Sequence, residues 1–294
     1  MKKKITNLVK LSREIGVHLD YVQGSGGNIS VKILDDLMAI KASGYELKNV
    51  SETSGLVFVN HAQINQKISE FCHKKNGDDE KFSAAVDSLT KRIAPYQESR
   101  PSMETGFHSL LPFKYVIHSH SVYAAVLVCS FEGKKIAAEI FFDFLWVEYC
   151  NPGWQLTAEI FNGLKKLSKP QIIFLQNHGL ILAGDDADEL LKLHTQINNK
   201  IKKHLNIPEF CFDKIKIFDQ EFMKKNVLFP DQIVFGISEE FSQSQIASHI
   251  FAAYSYILQS IDKSGLKPIF ISKENVDFVA NMESEKYRKK VAKK

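Results

Sequence analysis

The stretch from Ser102 to Ala124, SMETGFHSLLPFKYVIHSHSVYA, sets His108, His118 and His120 beside Glu104 in mostly apolar sequence. Polar side chains in a buried segment are costly unless they are paired or bound. If KYVIHSHSV is a strand, residues two apart share a face, so His118 and His120 point together and Ser119 turns away. Two imidazoles on one face suit a metal site, but they also suit two core histidines bonded to a carbonyl or a water. A third imidazole, His178, stands in LQNHGLI at a break in a second apolar run, followed by a glycine that lets backbone or ligand come close. Together the three would form a neutral nitrogen set with a position left for water or substrate, the form of a catalytic zinc centre. Glu104, three residues past Pro101 at an expected helix start, could be a fourth ligand, an acid/base, or a helix-end charge that favours the dipole.

Other residues suit the far end of a substrate. GSGGNIS places Asn28 after a glycine turn, and IKASG places Lys41 two residues before Ser43, on one face if the strand extends that far. Glycine-flanked amides and small hydroxyls make a concave donor set suited to an anion, although GSGGN alone is only a turn and Lys41 could equally be a strand-end lysine in solvent. His108, four residues after Glu104, stacks on the same helix face and could orient Glu104 or a metal ligand, or lie on a helix surface. His61, His73, His194, His204 and His249 have no such companions and read as structural or exposed.

The elements that must position these groups alternate between helix and strand without a repeat. ITNLVKLSREIGVHL has helical spacing; NISVKI, LMAIKA and GLVFVN read as short strands of an antiparallel meander. HAQINQKISEFC and SAAVDSLTKRIA read as helices on either side of a charged surface break, HKKNGDDEKFS. PQIIFLQNHGLILAG has strand character; WQLTAEIFNGLKKL and ADELLKLHTQINNKIKKHL have helical periodicity. The mixture makes the class α/β or α+β around one sheet. From about residue 238 the pattern is helical again, with SQIASHIFAAYSYILQSI and a charged tail that packs as an extension.

The chain has 294 residues, 44% of them hydrophobic, enough for one sizeable domain with an appendage or at most two domains. A formal net charge of +4 is too small for a nucleic-acid footprint, and the Lys-rich ends MKKK and YRKKVAKK read as solvated termini. Four cysteines without close pairing, and no signal peptide or span of membrane length, make a cytoplasmic protein with reduced thiols the expectation.

Taken in order and at their separations, GSGGNIS, IKASG, PSMETGFH, HSHS, LQNHGLILAG and LFPDQIVFG resemble the class II aldolase/adducin family, most of all the aldolase portion of rhamnulose-phosphate aldolase/dehydrogenase fusions. The resemblance covers about residues 5 to 235; no dehydrogenase half follows. It implies a three-layer α/β/α sandwich around a largely antiparallel sheet, here as an aldolase/adducin domain over 1–237 with a helical extension over 238–294, assembled as a homotetramer. It also implies that His118, His120 and His178 hold a divalent metal, usually Zn2+ with Mn2+ or Co2+ as alternatives, and that Glu104 transfers protons. Asn28, Ser43, Gly44 and Ser102 match phosphate-binding segments, with Lys41 a further candidate for the anion; Met103 stands where relatives have a second serine.

The implied reaction is metal-dependent aldol cleavage or synthesis on a sugar phosphate or related hydroxy-ketone, with neither nucleic acid nor membrane as partner. Relatives also include epimerases, dehydratases and decarboxylases that share enediolate chemistry, and an adducin-like scaffold without chemistry. A scaffold has no need of all three histidines and Glu104. The hydroxyl of the departing aldehyde also needs an acid/base, commonly a tyrosine in relatives, for which Tyr149 and Tyr123 are the candidates.

Overall fold

A meander at the start of the chain and a hairpin in its middle build one sheet. In the computed structural model, which describes residues 1–74, 77–91, 93 and 99–293, the strands are β1 (Asn28–Lys32), β2 (Leu37–Lys41), β3 (Leu56–Asn60), β4 (Thr90–Lys91), β5 (Tyr115–Ser119), β6 (Phe144–Val147), β7 (Ile172–Leu175) and β8 (Gly179–Gly184). Their order across the sheet is β4-β3-β2-β1-β5-β8-β7-β6. Every pairing is antiparallel except that of β6 with β7. Asn28 is registered opposite His118, and His118 opposite Ile181.

The helices are α1 (Lys2–Gly16), α2 (His61–Lys74), α3 (Asp79–Ser88), α4 (Thr105–Leu110), α5 (Val122–Val128), α6 (Gly133–Ile140), α7 (Trp154–Leu164), α8 (Ala187–Leu205), α9 (Gln220–Lys225), α10 (Gln245–Lys263), α11 (Lys273–Asn281) and α12 (Glu283–Ala292). They lie in two layers because each strand buries both faces. Alternate residues Tyr115 and Ile117 of β5 face one core with side chains from α1, α5, α8 and α10, while Val116 faces another with Phe107 of α4 and Leu156 and Ile160 of α7. This is the three-layer α/β/α arrangement around a largely antiparallel sheet. Residues of α10, Ile271 and Val279 belong to the same core as β1 and β5, so the C-terminal helices pack directly on the domain.

Where the sequence misleads, burial or a cap is the reason. The strand in KYVIHSHSV stops at Ser119, and α5 begins at Val122. All seven residues of α5 are buried, and a segment apolar on every side carries neither a helical nor a strand period. The expected helix SAAVDSLTKRIA begins earlier, at Asp79, where the Asp78 side chain accepts from the Lys81 amide and acidic residues fill the first turn. It ends at Ser88, and Thr90–Lys91 pair with β3; Arg92 and Ala94 lie outside the described residues. The run PQIIFLQNHGLILAG is two strands, joined where Asn177 takes φ 52°.

Candidate active site

The end of β5, the β7–β8 turn and the start of α4 meet at one point. His118 leaves β5 on the α4 side of the sheet and His120 follows just past the strand end. The structure brings the two together, with Nε2 atoms 3.0 Å apart, while Ser119 turns to the other face and meets His194 Nε2 at 2.9 Å. His178 joins them from the β7–β8 turn, its ring centre 4.9 Å from that of His118 and 5.3 Å from that of His120. That turn is tied down by Asn177, whose side-chain amide donates to Leu228 O at 2.9 Å and Ile269 O at 2.8 Å. One ligand atom from each of the three imidazoles lies within 4.8 Å of the others.

The second ring nitrogens decide the tautomers. His118 Nδ1 donates to the Leu180 carbonyl at 3.2 Å, and His120 Nδ1 to Asp231 Oδ2 at 2.7 Å. Each proton therefore sits on Nδ1, and the two Nε2 lone pairs face each other. Lone pairs aimed together at 3.0 Å suit a proton or a metal cation between them.

Glu104 supplies the negative charge. It is the residue before the first turn of α4, and its side chain caps no amide of that helix. Oε1 lies 3.2 Å from His178 Nε2 and 3.6 Å from His118 Nε2. That oxygen is buried and has no conventional hydrogen-bond partner among the described residues. Burial alone would push this carboxyl up, whereas positive charge at the imidazoles around it, His118 foremost, would hold it well below the usual carboxylate range. An orphaned buried carboxylate oxygen beside three imidazoles, two of them with lone pairs free, fits a divalent ion.

The other oxygen is fixed by a chain of polar contacts. Oε2 accepts from Asn28 Nδ2 at 2.6 Å; Asn28 Oδ1 meets His108 Nε2; His108 Nδ1 meets Ser30 Oγ at 2.7 Å. Burial drives His108 down to about 3, so it is neutral. Asn28 thus gives its amide to Glu104 and, at 3.3 Å, to Ser102 Oγ, and it lines the same cavity as Ser43, Gly44 and Ser102; His108 faces inward from α4 toward Asn28.

Ser102, Ser43, Gly44 and Lys41 line the same cavity as Glu104, His120 and His178. Lys41 is buried, and two of its ammonium protons go to the carbonyls of Ser25 (3.0 Å) and Tyr45 (2.6 Å). Burial, helped by Arg288, lowers it to about 7. Gly44 takes φ +80°, and a Cβ there would meet Val291 of α12 at 2.6 Å. Of the tyrosines, Tyr123 lies in the opposite core with its hydroxyl on Glu209 at 2.9 Å, and Tyr149 donates to Asn151 at 3.3 Å; neither lines the cavity.

Three residues at the site escaped sequence reasoning. Asp231 lies in the quoted LFPDQIVFG without an assigned role, just before the π-helical turn Gln232–Gly236. Glu285 and Arg288 come from α12, and Arg288 lies in YRKKVAKK, which the sequence suggests is solvated; it is instead half-buried, with its guanidinium 2.6 Å from Asp231. The signal was the recurrence Glu285, Arg288, Val291 at helical spacing, hidden among lysines.

A model of the class II aldolase and adducin N-terminal domain matches residues 6–204, more than half of the sequence. The chain belongs to that family. The N-terminal class II aldolase domain of a conserved protein from Thermoplasma acidophilum is 26% identical, with a TM-score of 0.59 over 68% of this chain and 93% of that one. A sugar-phosphate aldolase from Thermotoga maritima, 13% identical, shares the fold with a TM-score of 0.50 over 70% of this chain and 95% of its own. An uncharacterized oxidoreductase of Bacillus subtilis (strain 168), YuxG, is 26% identical over 215 residues, which are 70% of this chain and 30% of that protein. This class II aldolase-family chain therefore spans under a third of that relative's length. The site residues from Asn28 to His178 fall inside the matched segment; Asp231, Glu285 and Arg288 fall beyond it.

Proposed function

We propose that the chain is a divalent-metal-dependent aldolase that breaks or forms a carbon–carbon bond in a sugar phosphate or related hydroxy-ketone, in the cytoplasm and as a homo-oligomer, a tetramer by family resemblance. The observation that carries the reading is the convergence of two tautomer-fixed Nε2 lone pairs and the orphaned Glu104 Oε1 on one buried point. His118, His120 and His178 would hold the ion, with Zn2+ the best match to imidazole donors and Mn2+ or Co2+ the alternatives. Once bound, such an ion supplies the positive charge that a developing enediolate requires.

The chain's own residues do the rest. Glu104 Oε1 takes a proton from the carbon beside the carbonyl in the synthetic direction and returns it after cleavage. Asn28 holds Oε2, so Oε1 faces the imidazoles, and His108 holds Asn28 in turn. Lys41, Ser43, Gly44 and Ser102 receive the anionic end of the substrate, with the third Lys41 proton free for it.

The space at this point is about 30 Å³, room for little more than a water. A cavity of about 940 Å³ adjoins it and shares Ser43, Ser102 and Met103 as walls. Met103, an unbranched and adaptable side chain, is the partition that substrate displaces on entry. The reading is tested by incubating metal-loaded protein with a panel of ketose phosphates and analysing products. Release of an aldehyde and a ketone fragment that stops on chelation is expected; substrate turnover without any carbon–carbon cleavage would assign the site to another enediolate reaction.

A further inference from the structure

We propose that Asp231, itself held by Arg288 of α12, is the positioning residue of His120, so that the C-terminal helix is a working part of the metal centre. The inference rests on the metal-site reading above and extends it to residues outside the segment that matches the family.

The geometry is a relay of three links. His120 Nδ1 donates to Asp231 Oδ2 at 2.7 Å, Asp231 Oδ1 lies 2.6 Å from the Arg288 guanidinium, and Arg288 Nε donates to Ser25 Oγ at 3.1 Å. The guanidinium also stacks over the Phe235 ring, 5.0 Å from its centre, and lies 3.4 Å from the carboxylate of Glu285. Asp231 and Glu285 are both nearly inaccessible to solvent, at 1% and 2% exposure, so water cannot substitute for Arg288. A carboxylate on the far nitrogen of a ligating imidazole fixes the ring's tautomer and direction and raises its basicity. Without Arg288, Asp231 would be a buried charge with only His120 as partner.

A second observation shows how little room the same contact has. A Cβ on Gly26 would stand 2.5 Å from Asp231 Oδ2 and 2.9 Å from His120 Nδ1, directly in the His120–Asp231 pair. Only glycine leaves that space, which gives the middle glycine of GSGGN a role besides turning the chain. Val291, on the same helix as Arg288, packs on Gly44, so α12 is anchored to the cavity at two points.

The test uses full-length apo protein titrated with Zn2+ against a competing chromophoric chelator, with the visible spectrum of the Co2+ form as a second readout. Wild type should bind about one ion per chain. Asp231→Asn should bind roughly 10- to 100-fold more weakly, with an altered Co2+ spectrum and an apo melting temperature close to wild type. Arg288→Met paired with Glu285→Gln, which leaves no second buried carboxylate unpaired, should weaken binding by a smaller factor. Adding Arg288→Met to Asp231→Asn should cost little more, since both act through one relay. Lys293→Met, which breaks only an exposed pair with Glu240, should change nothing. Wild type that binds the ion while Asp231→Asn binds it equally well, with the same Co2+ spectrum, would overturn the relay and leave the metal reading intact. Wild type that takes up no ion would overturn the metal reading itself.

Discussion

Asn28 donates its side-chain amide to Glu104 Oε2 at 2.6 Å, and in doing so leaves the other carboxylate oxygen facing the imidazoles of His178 and His118. The contact ties β1, where the glycine turn ends, to the start of α4, and it separates two roles for Asn28 that are experimentally distinct.

If Asn28 orients Glu104, Asn28→Ala should lower kcat by roughly tenfold or more with little change in KM, because the loss falls on the transition state. It should also cost about 1–3 kcal/mol of stability by leaving Glu104 Oε2 and His108 Nε2 without their partner. A raised KM with normal kcat would instead return Asn28 to the anion site. Steady-state kinetics and a melting curve on one preparation distinguish the two.

Lys41 makes anion binding depend on pH. Burial lowers its ammonium to about 7 in the folded chain, so the charge is present below that pH and lost as pH rises through it. Sulfate, which stays doubly charged throughout, should raise the melting temperature at pH 6 and progressively less towards pH 8.5. Lys41→Met should flatten that dependence. The same depression means that Lys41 protonation favours the unfolded chain, so its contribution to stability improves as pH rises from about 7 towards the ordinary lysine value. A sulfate response that is equal at both pH values would place the anion elsewhere.

Met103→Ser should strengthen the sulfate response and lower KM for a phosphorylated substrate, because it adds a hydroxyl to the wall that Ser43 and Ser102 share and thins the partition between the two cavities. An unchanged KM would show that Met103 stands off the path of the substrate.

Gly26→Ala should weaken metal binding by at least about tenfold, since its Cβ enters the His120–Asp231 contact. Competition titration reads this directly, and unchanged affinity would mean that the loop yields to the added methyl without disturbing His120.

Much of the site was legible because its residues fall in short local patterns. The alternation across IHSH placed His118 and His120 on one face before any fold was known, and the glycine after His178 marked a turn. What could not be read were contacts between distant segments. The amide of Asn28 is a donor in any sequence; only the pairing of β1 with β5 and the approach of α4 direct it to Glu104 and Ser102. Tyr149 and Tyr123 were equivalent as residue types and pack against the same core, and only their distant neighbours send one hydroxyl to Asn151 and the other to Glu209. Arg288 was masked by its lysine neighbours, although it shares a helical stripe with Glu285 and Val291. Helix α5 carried no period because it is buried all round.

In the proposed reaction Glu104 moves a proton at a metal centre held by the three histidines. Glu104→Gln preserves size and still lets Asn28 and the imidazoles pack around it, while removing the base. Metal content, melting temperature and turnover should be measured on the same Glu104→Gln preparation. A proton-transfer role for Glu104 predicts retained metal, a melting temperature near that of wild type, and turnover reduced by roughly two or more orders of magnitude. Near-normal turnover with metal bound would contradict it.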